Sequence, residues 1–213
     1  MNENRSVKKK EKKAVIIVLA VMAAIVLFSI PVLISSLGEG GSEETDETTR
    51  LIYFEEPNFE ENIFEDEEYM GKNRLIYVIN GPIGTFVDTS SESERDAQSR
   101  VVNFMFDFID AQIMGNTDAY NACFSSEYIA KKGPHAPFTM QKLYDVSIEQ
   151  YGSATASESE SGGYDYIFIL KYKILNNNGT LRNDMESMSE RPLYLSVHED
   201  ADGKFAITAM RAR

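Results

Sequence analysis

The sequence predicts an α+β domain hung from a transmembrane helix, and three patterns carry that expectation. Ala14 to Leu37 is a run of 24 residues without a charge. Between Ala97 and Ile113 apolar residues recur three and four apart, the period of an amphipathic helix. From Tyr144 onward the period falls to two, the signature of successive strands. Helices followed by strands with short turns predict an antiparallel sheet covered on one face by the helices.

The apolar run comes first. At ~1.5 Å of rise per residue it reaches ~36 Å, enough for a hydrocarbon core of ~30 Å with some tilt. Six of the 21 Lys/Arg fall in residues 1–13, against only Glu3 and Glu11 of the 34 acidic residues. Basic flanks stay in the cytoplasm, so the chain is expected in the cell membrane as a single-pass protein. Its N-terminus would be inside, its acidic bulk extracellular, and membrane lipid would be its partner through residues 14–37. The rival is a cleaved signal peptide with a site at Ser36-Leu37-Gly38. Such peptides have apolar cores of only ~7–15 residues, which favours the uncleaved anchor. The expected organisation is a basic segment at 1–13, the span at 14–37, an acidic tether at 38–70 and a domain at 71–213.

A formal charge of −13 argues against nucleic acid, whose phosphates need clustered Lys and Arg. Cys123 stands alone, so no intramolecular disulfide forms; an unmated thiol outside a cell points to a bacterial surface. His135 and His198 are far apart with no cysteine pair, which is no zinc pattern. No phosphate cradle or nucleophile elbow is present, so neither metal nor cofactor is expected.

Gly38 to Arg50 is Gly, Ser, Thr and acid, too polar to fold alone. Leu51 to Met70 interleaves acids with large apolar groups, among them Phe54, Phe59, Ile63 and Phe64. A short helix after Pro57 would set Phe59 and Ile63 on one face. Three readings stand: apolar hooks that pack on the domain, a docking segment for an envelope protein partner through those four residues, and calcium binding. The last lacks the alternating ligands and fixed glycine of a calcium loop.

Arg74 to Asn80 reads as a strand closed by Gly81-Pro82, with Thr85 to Val87 as a second. Ser91 and Glu94 have the spacing of a capping box for one long helix that Gly115 stops. Asn116 or Thr117 caps a second helix, and Ser126 to Ile129 adds a turn. Gly133 to Pro137 is a loop, and Phe138 to Leu143 is ambiguous. Tyr144, Val146 and Ile148 alternate; a polar hairpin over Ser153 to Gly163 leads to Tyr164–Leu175, the clearest strand. Asn178-Gly179-Thr180 is both a glycosylation sequon and a turn signal, and the turn is favoured. Leu193 to Val197 and Phe205 to Ala209 close the sheet around a turn at Asp200 to Gly203.

The long capped helix, GNTDAYNACFSSEY (Gly115 to Tyr128), YDYIFILKYKI (Tyr164 to Ile174) and RPLYLSVHEDADGKFAIT (Arg191 to Thr208) together resemble the NTF2-like, or cystatin-like cone, superfamily over residues 92–213. The resemblance implies helices on a curved antiparallel sheet with a pocket between them. For membrane-anchored members of Gram-positive bacteria it also implies roles in conjugation channels and cell-envelope assembly. It does not imply catalysis, because the fold hosts enzymes and interaction modules alike.

Enzymes of that superfamily hold an acid or a His beside a Tyr inside the cone. Asp107, between Phe106 and Phe108, and Asp110 are the candidate acids, since acid/base work needs a carboxylate raised by apolar surroundings. Their spacing equally marks a solvated helical stripe. Tyr164, Tyr166, Phe168, Tyr172 and Tyr194 are candidate pocket residues for a small apolar ligand or peptide, or plain core. With no reactive constellation, the expected function is a non-catalytic extracytoplasmic interaction or assembly domain. The alternatives are a ligand-binding cone and an acid/base enzyme, and self-association is left open.

Overall fold

The computed structural model describes residues 52–155 and 163–212. The basic segment 1–13, the apolar run 14–37, the tether residues 38–51 and the hairpin tip at 156–162 lie outside the described residues. Among the described residues no helix is long and apolar enough to cross a membrane.

After a 3-10 turn at Ile63–Glu65 comes a short helix α1, Glu67–Met70. A hairpin follows, β1 at Ile76–Asn80 and β2 at Ile83–Val87. Four helices come next: α2 at Glu92–Asp96, α3 at Arg100–Ile113, α4 at Thr117–Ala122 and α5 at Ser126–Lys132. The chain ends in β3 at Leu143–Thr155, β4 at Tyr164–Ile174, β5 at Leu193–Glu199 and β6 at Phe205–Ala212.

The class is α+β, with one six-stranded sheet in the order β2-β1-β3-β4-β5-β6. The sheet is mixed rather than antiparallel: β1 runs parallel to β3, with Val78 opposite Ile148. From β2 at the sheet's edge the chain passes through α2 to α5 and re-enters beside β1, and a parallel pair requires a crossover of that kind. From β3 to β6 the meander is antiparallel as expected.

The expected long helix is two. Ser91 makes no side-chain cap on α2; its hydroxyl bonds Ser93 Oγ, and Glu94 instead accepts from the Asp88 amide at 2.7 Å. The working cap is Ser99, whose hydroxyl accepts from Val102 N and starts α3. Asn116 caps α4 and Ser125 caps α5, each accepting a backbone N–H with its side-chain oxygen. Gly115, at φ 62, ends α3 against the 139–140 backbone. The apolar stripe of α3 (Met105, Phe106, Phe108, Ile109) packs with Ile148, Phe168, Leu170, Leu195 and Val197 in one core.

Residues 61–70 belong to the folded unit, which spans Leu51–Arg213, in the manner of apolar hooks packed on the domain. Ile63 and Tyr69 are buried with Tyr144 and Leu175. Lys142, 8% exposed, pairs with Glu61 at 2.6 Å and Asp66 at 2.7 Å. Phe59 does not share a helical face with Ile63; it lies in an exposed turn, and Asn62 starts the 3-10 turn by accepting from Phe64 N.

The β4–β5 connection is no simple turn. Asn176 takes a left-handed conformation, and buried Asn177 donates to the carbonyls of Arg182 (2.8 Å) and Met185 (2.7 Å). Leu181 and Met185 join the main core, so this polar stretch is folded inward.

Candidate binding cleft

The two candidate carboxylates sit on the outer side of α3. Arg95, from the last turn of α2, binds both: Nη1 donates to Asp110 at 2.8 Å and Nη2 to Asp107. The side chain of Asp107 is 66% exposed and that of Asp110 39%. Burial raises the Asp110 pKa, only partly offset by Arg95. Asp110 lines a groove of about 630 Å³ that also touches Tyr69, Lys72, Arg74 and Asp88. The pair is thus an ion-paired surface stripe, with one member at the wall of an open groove.

The five aromatic candidates do not form one wall. Phe168 and Tyr172 are core residues. The Tyr172 hydroxyl accepts from Arg182 Nη1 at 3.2 Å, and the Arg182 guanidinium lies 5.6 Å over its ring. Asp184 holds that guanidinium in turn at 2.6 Å. Tyr166 is half-buried and donates to Glu199 at 2.9 Å, whereas Tyr164 is exposed at the strand end. Tyr194 pairs in register with Ile169, so it occupies the opposite sheet face from Phe168, beneath Arg211. The space between helices and sheet that a ligand would need around Phe168 is therefore filled by side chains.

Of the four docking candidates, Ile63 is withdrawn into the core beside Tyr69. Phe64 tilts against Tyr69, with ring centroids 6.4 Å apart. Phe54 lies across Gly179, where an added Cβ would come within 2.8 Å of its ring. Phe59 is exposed.

His198 pairs with Asp165 at 2.8 Å on the outer sheet face. Asp200 accepts from the amides of Asp202 and Lys204, which makes Asp200 to Gly203 a hairpin turn. Cys123 is buried, its thiol pushed up to about 11 by desolvation and donating to Ala119 O at 3.3 Å, which makes it a poor nucleophile.

A different site emerges below α5. A cleft of about 420 Å³ opens between α4, α5, the loop at Gly133 to Ala136 and the loop at Gly179 to Asn183. The Phe124 and Tyr128 rings stack at 4.7 Å, and Tyr120 meets His135 edge-on at 5.4 Å. Asn121 fixes the loop by accepting from His135 N (2.8 Å) and donating to His135 O (3.1 Å). Met210 of β6 joins the lining, its sulfur accepting from the Tyr120 hydroxyl at 3.9 Å. Tyr120, Phe124 and Tyr128 recur every four residues, a spacing that reads as a helix's buried face. Their shared place in the lining of a cleft was therefore hidden in the sequence. No family model, no curated protein and no solved structure matches the chain.

Proposed function

We propose that this protein is a single-pass, membrane-anchored, extracytoplasmic interaction domain of a bacterial cell envelope, non-catalytic and NTF2-like in fold. The observation that carries the reading is the combination of a filled interior with committed carboxylates. Phe168 and Tyr172 occupy the space a substrate would enter, and Arg95 binds both Asp107 and Asp110. What remains for function is surface. Tyr53 (85% exposed), Phe59, Ile83 and Phe86 are large apolar groups open to solvent. The basic flank before residues 14–37 supports the orientation, and α3 packed on the β3–β6 meander supports an α+β domain with helices on its sheet.

The test is photo-crosslinking in intact membranes, with a photoreactive residue at Phe59 or Phe86. A reproducible adduct with an envelope protein is expected at one or both; none at either position sinks the docking role. Topology is tested separately. A cysteine placed at Ser42 should react with an impermeant maleimide on whole cells, while buried Cys123 stays silent.

A further inference from the structure

We infer that the cleft below α5 receives an aromatic side chain carried on an acidic segment of a partner protein. The inference rests on the docking role proposed above and adds where the partner binds and by what chemistry. A volume of about 420 Å³ falls in the ~300–1,000 Å³ range of ligand sites and suits one ring with its flanking backbone. Half-buried Tyr128 and His135 present ring surface, buried Phe124 and Tyr120 back them, and half-buried Met210 supplies a polarizable sulfur. Those are the surfaces that aromatic guests favour.

Charge decides what flanks the guest. The chain carries −13 overall, yet the cleft lining holds Lys132 and no carboxylate. In so acidic a protein a lining with a lysine and no carboxylate favours an anionic partner. The wall is also set in advance, because Asn121 pins the His135 backbone through two hydrogen bonds, which lowers the ordering cost of binding. The chain itself provides an example at the rim. Phe54, followed by Glu55 and Glu56, lies across the lining residue Gly179, and Glu55 N donates to Asn177 O at 3.4 Å. An acidic aromatic segment is already accommodated along that edge, and a partner segment of like composition continues into the cleft.

The full-length protein in detergent micelles is titrated into fluorescein-labelled acetyl-Glu-Glu-Tyr-Phe-Glu-Glu, followed by anisotropy. A peptide with every Glu changed to Lys is the control. Saturable binding of the acidic peptide alone is expected, weakened at least about tenfold by Lys132→Glu and by Tyr128→Ser, each with unchanged circular dichroism. Lys132 is exposed, so its charge reversal tests recognition rather than folding. No binding, equal binding of both peptides, or an affinity that neither substitution alters overturns the site. Self-association that Lys132→Glu abolishes makes the occupant a second copy and overturns the partner assignment. Failure of the peptide while Phe59 or Phe86 still crosslinks a protein removes the cleft and leaves the docking role. Peptide binding without any crosslink keeps the cleft's chemistry and removes that role.

Discussion

A lysine side chain that is 8% exposed would be costly to leave unpaired, and Lys142 avoids that cost by sitting between Glu61 and Asp66. Burial lowers its pKa, but the two carboxylates more than offset this and leave it raised. Asp66 is correspondingly lowered, first by its hydrogen bond to Lys142 and then by the Tyr69 amide. A depressed carboxylate contributes stability in full above its unfolded value, ~3.9, and loses it as pH falls through the folded value. The difference in unfolding free energy between wild type and Asp66→Asn should therefore hold steady from pH 7 to 5 and close at lower pH. No difference at pH 7 would show that Lys142 does not hold the carboxylate. Gly115 is the other decisive residue. It has φ 62, and an added Cβ would lie 2.6 Å from Met140 N and 2.8 Å from Thr139 C, both backbone atoms that cannot swing aside. Gly115→Ala should cost at least ~1 kcal/mol in denaturant unfolding, because left-handed strain and the clash add.

Among the elements, the boundary between α2 and α3 offers a direct contrast of two serines. Ser99 caps α3 through its hydroxyl, whereas the Ser91 hydroxyl meets only Ser93 Oγ and caps no backbone N–H of α2. Ser99→Ala should lower the unfolding free energy by about 1 kcal/mol and Ser91→Ala by a few tenths at most. Equal losses in chemical denaturation would mean that the box at Ser91 forms after all. The same boundary shows what local sequence can and cannot reveal. The apolar rhythm of α3 and the alternation of β4 to β6 were legible because each element buries one face, and burial imposes a period. The break at Ala97 was not, because Ser91/Glu94 has the full capping-box pattern, whereas Ser99 offers a lone hydroxyl and Val102 cannot reach back. Only the competing bond from Asp88 N to Glu94 separates them. Nor was the parallel pairing of β1 with β3, since alternation shows which face of a strand is buried but not which strand lies beside it. Polar composition misled in residues 176–191, where Asn177 and Arg182 are buried because carbonyls, Tyr172 and Asp184 satisfy them. At the cleft, helical spacing accounted for Tyr120, Phe124 and Tyr128, leaving no surplus signal to suggest a binding surface.

For the whole molecule, the limits of the folded unit decide what a stable fragment must contain. A domain drawn to begin at residue 71 would discard Ile63 and Tyr69, both fully buried, and leave Lys142 without its carboxylates. A fragment of residues 51–213 should unfold at the same denaturant concentration as the full chain. A fragment of residues 71–213 should lose roughly 3–6 kcal/mol, at ~1.5–3 kcal/mol for each large buried side chain. Equal midpoints for the two fragments would return residues 51–70 to the status of a tether.

The parallel contact between β1 and β3 also governs the order of events during synthesis. Asn80 leaves the ribosome well before Ser147, the first β3 residue to face β1. At ~5–20 residues per second that interval lasts about 3–13 s. During it the β1–β2 hairpin has no third strand, and a lone two-stranded ribbon is marginal in water. Helices α2 to α5 emerge complete in the meantime. The first-made strands of the sheet thus wait on its later ones, and the nascent chain must keep the apolar faces of Ile76 and Val78 from other partners until β3 arrives.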